Sequence, residues 1–294
     1  MKILTSFILF LVYSSSNAQL TGFECHKKSF ELDSLLTIAK DTSLYMTEFE
    51  KINTDFLLES DIFQACKIFS LQKKYERFQF YAKQSMQKGQ TAQTFIDLFD
   101  KNLPENEINI LLDNECGAKK IYFTNVSREL YEQINNMALV DSKLRQLRLH
   151  NKLDYSIVRM IDSMNVINVK LLISKYGMIT ERKHGAIFNK LFYMLIHFSY
   201  YHVEDYEYFR IFFYTSVING DSKPDLYAYY VDRYEISANG GQMYGSFANR
   251  YEGIGKVNDI KNLNKRRFAI GACSIKNWLL LREVDLKFLP PGLN

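Results

Sequence analysis

From Asp61 to Lys88 the apolar positions keep a helical beat. Phe63, Cys66, Ile68, Phe69 and Leu71, then Tyr75, Phe78, Tyr81, Ala82 and Met86, recur three and four residues apart. Gly89 ends the pattern, and the polar run Gln72–Lys74 breaks it in the middle, so two helices joined by a short turn fit better than one long helix. Ala65, Phe69, Tyr75, Ala82 and Gly89 stand where a tetratricopeptide-type helical hairpin places its small and aromatic packing residues. Helices within 28–60 and 91–112 flank the pair, giving a helical-hairpin region over residues 19–120. Residues 113–126, with Gly117, a lysine pair and a short β-prone run, read as a linker.

A second helical block fills residues 121–294. The pattern predicts helices over 127–150, 155–175 with Gly177 behind it, 186–201, and 205–219 with Gly220 behind it. Further helices are predicted over 225–238 ending at Asn239-Gly240-Gly241, from Asn262 or Asn264 to Ala269, and over 274–284. Gly245, Gly253 and Gly255 exclude a good helix between Gln242 and Asp259 and point to a hairpin or irregular loop. The expected fold is mainly α, with any strands confined to 240–260.

The first eighteen residues change the compartment. Lys2, the apolar run Ile3–Tyr13 and the small residues Ser16 and Ala18 form a secretory signal with a cut after Ala18. No later stretch has the roughly 20 apolar residues of a membrane span, so the chain is expected to be exported without a transmembrane anchor. The formal charge of +4, with 37 basic against 33 acidic residues, is near balance and argues against a nucleic-acid partner. Cys25, Cys66, Cys116 and Cys273 allow up to two disulfides in an oxidising compartment. Their spacing matches no metal or redox motif, and no cofactor is implied.

Candidate chemistry gathers towards the C-terminus. Helix 186–201 is apolar around most of its circumference, but Lys190, Tyr193, His197 and Tyr200/Tyr201 share one polar stripe. In "YYVDRYE", adjacent Asp232 and Arg233 point about 100° apart, so they cannot pair along the helix. Arg233 falls with Leu226, Tyr229 and Tyr230, and Asp232 with Ala228 and Glu235; one of the two must face an aromatic-lined, partly buried side. In the extended "GGQMYG", Gln242 and Tyr244 point the same way and Gly245 permits close approach. Arg266 and Arg267 follow in "NKRRFAIG". These groups converge either as a closed ion-pair network or as a pocket offering an amide, a phenol and guanidinium groups to a polar or anionic ligand.

The order Asn165 or Asn168, Gly177, Gly185, His197, Asp232-Arg233, Gln242-x-Tyr244-Gly245, Asn264-x-Arg266-Arg267 and Gly271 resembles an uncharacterised family of secreted or periplasmic bacterial proteins, a domain of unknown function. Some members of that family carry a tetratricopeptide-like region ahead of the domain. Met178-Ile179 stands where the family has Trp-Pro, and Ser246-Phe247 where it has Thr-Gln. The resemblance implies a site without naming a reaction. Two functions are expected to compete. The first is a binding or interaction module, with the N-terminal helices contacting a protein partner and Arg233, Gln242, Tyr244, Gly245, Arg266 and Arg267 holding a small polar or anionic ligand. The second is a hydrolase-like enzyme with His197 as general base, oriented by Asp232, and arginine stabilising negative charge.

Overall fold

The computed structural model describes residues 24, 26–52, 57–150, 152–197, 202–249, 253–289 and 293. Residues 1–18, where the sequence predicts a secretory signal, Cys25 and Tyr200/Tyr201 lie outside them. The described chain is mainly α, with fourteen α-helices and one two-stranded hairpin among the described residues. Helix α1 covers residues 26–37. It is followed by α2 (Thr42–Glu50), α3 (Glu59–Leu71), α4 (Tyr75–Gln87), α5 (Ala92–Phe99), α6 (Glu105–Asn125), α7 (Arg128–Leu149) and α8 (Tyr155–Tyr176). Then come α9 (Glu181–His184), α10 (Ala186–Ile196), α11 (Val203–Ile218) and α12 (Pro224–Asn239). The hairpin β1 (Ala248–Asn249) and β2 (Gly253–Ile254) precedes α13 (Leu263–Ala269) and α14 (Ile275–Leu281). Two compact units share these elements, one being Thr42–Asp205 and the other the residues up to Asp41 together with Tyr206 onward.

In the unit Thr42–Asp205, α3 and α4 form the expected hairpin, turning at Lys73 with φ 55°. Their shared face buries Phe49, Phe69 and Tyr81, with Phe69 stacked on Tyr81 at 5.3 Å. The chain does not break at 113–126. Those positions continue α6, whose residue Gly117 has nothing within 4 Å of where a side chain would begin. A mid-helix glycine costs only about 1 kcal/mol against alanine, which the burial of Leu111, Ala118 and Tyr122 on the same helix offsets.

The short α9 is tied in by polar groups. Glu181 accepts hydrogen bonds from the Ser60 amide at 3.0 Å and hydroxyl at 2.5 Å, placing a carboxylate at the start of α3. Tyr122 donates to the His184 carbonyl at 2.9 Å. Gly185 has φ 59° and ψ −136°, and a Cβ there would sit 1.8 Å from the Lys88 carbonyl oxygen. That oxygen accepts from the Ala186 amide at 2.9 Å, fixing the start of α10 on the end of α4. Helix α7 packs against both α8 and α10.

In the other unit, Tyr206 of α11 stacks on Tyr234 of α12 at 3.6 Å. Leu263, Ile275, Trp278 and Leu279 make a core under the hairpin. His26 of α1 reaches the Val217 carbonyl at 2.8 Å. Cys66, Cys116 and Cys273 are free thiols.

Candidate functional site

The loop after α12 is built around one carboxylate. Asp232 is fully buried, and Arg233 beside it is exposed, so the helical geometry puts the acid inside. Asp232 Oδ1 accepts from the amides of Met243 at 2.6 Å and Tyr244 at 2.8 Å. Its Oδ2 accepts from the Ser246 amide at 2.7 Å and hydroxyl at 2.8 Å. Burial pushes this carboxyl above its ordinary range, against the pull of the four donors.

Gln242 closes the same loop on itself. Its Oε1 accepts from the Phe247 amide at 2.7 Å and its Nε2 donates to the Phe247 carbonyl at 3.0 Å, so the side-chain amide pairs with a peptide as a neighbouring strand would. Its backbone makes a parallel bridge to Val257. The two arginines finish the enclosure. Arg266 donates to the carbonyls of Met243 at 2.8 Å and Asn258 at 2.7 Å, and lies 3.1 Å from Asp259 Oδ2. Arg267, fully buried, donates to the carbonyls of Cys273 at 2.6 Å and Tyr244 at 2.7 Å, with its guanidinium 5.5 Å over the Trp278 ring.

Asp232, Gln242, Tyr244, Gly245, Arg266 and Arg267 therefore do converge, but chiefly through backbone groups. The guanidinium groups expected to face a ligand spend their donors on loop carbonyls. Tyr244 packs its ring on Tyr227 at 5.7 Å; burial and that neighbour push its phenol well above the usual range. Gly245 has φ 68°, and a Cβ there would come 3.0 Å from Ile275. Arg233 lies on the exposed side of α12. Ser246 and Phe247 carry structure: Ser246 supplies two of the donors to Asp232, and Phe247 stacks on Tyr229 at 4.2 Å. A shallow cleft of about 370 Å³ lies beside the loop, lined by Gly240, Gly241, Gln242, Phe247 and Lys256 among others.

His197 belongs to the other unit, and its partner is Asp141 of α7 rather than Asp232. His197 Nδ1 lies 2.9 Å from Asp141 Oδ2. Arg145 binds Asp141 Oδ1 through Nε at 3.1 Å and a terminal nitrogen at 2.7 Å, and the same terminal nitrogen reaches Asp162 Oδ1 of α8 at 2.6 Å. Asp141 and Asp162 are buried, whereas the His197 side chain keeps 30% of its surface. Burial of Asp141 pushes its carboxyl up, but hydrogen bonds and charge from His197 and Arg145 prevail and hold it below the ordinary carboxylate range. This relay borders a groove of about 370 Å³ between α7 and α10, lined by Asp141, Ser142, Arg145, Lys190, Tyr193 and His197 together with apolar side chains. Lys190, Tyr193 and His197 are the polar stripe read from the sequence.

A carboxylate on Nδ1 keeps a proton there and leaves Nε2 as the basic nitrogen. The groove accordingly offers Nε2 as a hydrogen-bond acceptor. Asp141, Arg145 and Asp162 escaped the sequence reading, although a signal existed: Asp141 and Arg145 are four apart on one helix face, and Asp162 interrupts the apolar inner stripe of α8. Among the described residues no group of three or more His, Cys, Asp or Glu could hold a metal ion. No helix there is long and apolar enough to cross a membrane.

Comparison of the chain with protein-family models, with curated proteins and with solved structures finds no match.

Proposed function

We propose that the chain is an exported binding protein that takes a small polar or anionic molecule in the groove between α7 and α10. The observation that carries this reading is the His197–Asp141 pair at the edge of a groove large enough for a small ligand. Nε2 of His197 and the Lys190 ammonium supply the polar contacts, and the apolar lining supplies burial. The buried loop network around Asp232 and Arg267 is scaffold in this reading. The secretory pattern of residues 1–18 supports export, and the tetratricopeptide-like pattern of α3 and α4 supports a protein partner on those helices. The resemblance to secreted or periplasmic proteins points the same way.

Thermal shift with inorganic phosphate, small dicarboxylates and sugar phosphates tests the groove, since a ligand that binds the native state raises stability by mass action. A compound that stabilises wild type and Lys256→Ala but not His197→Gln is the expected result. A shift lost in Lys256→Ala and kept in His197→Gln would move the site to the cleft beside the loop. No shift with any compound sinks the reading.

The 2.9 Å geometry of His197 and Asp141 also favours a second reading, a hydrolase-like enzyme in which His197 is the general base and Asp141 fixes its tautomer. Ester and phosphoester turnover that falls about a hundredfold or more in Asp141→Asn supports it. Absence of turnover by wild type removes it.

A further inference from the structure

Helix α8 is apolar on two faces. Its inner face buries Val158, Val166, Val169 and Leu172. Roughly 150° around the helix, at 100° per residue, Ile157, Met160, Met164, Ile167 and Leu171 form a second stripe and are 40% to 63% exposed. The steps between them run three, four, three, four, which is the a/d seam of a coiled coil rather than the polar outer face of a surface helix. Together these side chains expose on the order of 500 Å² of apolar surface, near the upper end for the largest apolar patch on a typical monomer.

The borders of the stripe suit a helix partner. Ser156, Ser163 and Ser174 run along one side, small enough for another backbone to come close. The lysines nearby already have carboxylates: Lys170 pairs with Asp205, and Lys175 lies 2.8 Å from Glu129.

We propose that this face pairs with the same face of a second copy of the chain, the two α8 helices running antiparallel. With the two-fold axis between Met164 and Ile167, Met164 of each copy packs on Ile167 of the other, and Met160 on Leu171. Four apolar layers form, and Ile157 closes each end over Ser174. The antiparallel sense also brings the basic end of one helix, at Lys175, beside Asp154 at the start of the other. It sets the helix dipoles head to tail as well. A parallel pair would instead place both Lys175 side chains at one end. A seam of this area is smaller than the roughly 800 Å² per partner of a standard interface, so the dimer is concentration-dependent.

Sedimentation velocity of the mature chain over a wide concentration range tests the pairing. Wild type should move from monomer to dimer. Met164→Glu, which brings two carboxylates to the middle of the seam, should weaken the dimer about thirtyfold or more while leaving the circular dichroism unchanged. Orientation is read by oxidative crosslinking in a Cys25→Ser, Cys116→Ser background, which removes Cys25 and the exposed thiol among the described residues. A mixture of Met160→Cys and Leu171→Cys chains should give a linked dimer that neither variant gives alone. A monomer at every concentration, or a dimer untouched by Met164→Glu, overturns the proposal and leaves the stripe to a different occupant. Self-linking of Met160→Cys alone overturns the antiparallel arrangement.

Discussion

At Asp232 a single carboxylate organises four donors from three residues, and it does so where water cannot substitute. Asp232→Asn keeps the shape but turns one acceptor into a donor facing the loop's own amide and hydroxyl groups. The expected loss is about 3 kcal/mol, the cost of stranding buried donors. It should appear in amide hydrogen exchange as faster exchange of Met243, Tyr244 and Ser246, with the α7 and α10 amides unchanged. His184 makes the opposite kind of statement. Burial, with Lys183 nearby, lowers its pKa from 6.5 to about 4, and Nδ1 accepts from the Thr180 amide at 3.1 Å. The folded state therefore holds the ring neutral. Between pH 6.5 and about 4 the unfolded chain binds a proton that the folded chain refuses, so this group's contribution falls as pH drops through that window and is constant above and below it. Urea midpoints of wild type should fall more steeply from pH 7 to pH 4.5 than those of His184→Asn, which keeps an acceptor for Thr180 but cannot titrate. Equal slopes would remove His184 from the pH response.

At the scale of elements, helices were legible because apolar periodicity is a local property. The α3–α4 break at Gln72–Lys74, the ends of α8 and α12 and the hairpin among the glycines of 240–260 all follow from residues within one turn of themselves. The continuity of α6 through Gly117 was not legible, because long-range packing of Leu111 and Tyr122 overrides a weak local propensity. The site divides along the same line. That Asp232, Gln242, Tyr244, Arg266 and Arg267 meet was readable from their types and spacing. Whether their polar atoms face one another's backbones or a ligand was not, since that depends on Met243, Asn258 and Cys273 carbonyls that any residue would supply. Asp141 as the partner of His197 was hidden for a related reason: fifty-six positions separate them. The junction of α9 and α10 allows a sharper test. Gly185→Ala forces a side chain into the Lys88 carbonyl and into backbone angles reserved for glycine. It should cost about 3 kcal/mol or more, seen as a lower chemical-denaturation midpoint. Gly117→Ala, on an open helix face, should instead stabilise slightly.

For the molecule as a whole, Thr42–Asp205 is continuous in sequence, whereas the other unit is assembled from the chain's two ends. One partner of α1 is made much later: the carbonyl that receives His26 belongs to Val217, 191 positions on. Contacts of such separation form slowly, because closing the loop costs entropy before any contact repays it. A polypeptide emerging from a ribosome can therefore complete the central stretch first, while α1 still lacks its Val217 partner. Expressed alone, Thr42–Asp205 should melt cooperatively, and a chain stopped at Asp205 should leave residues 26–37 open to protease while the rest is protected. If that truncated chain instead protects 26–37, assembly does not wait for the C-terminal end. The interval in which the apolar face of α1, with Phe30, Leu32, Leu35 and Leu36, stays uncovered on its Val217 side is thus written into the order of the chain.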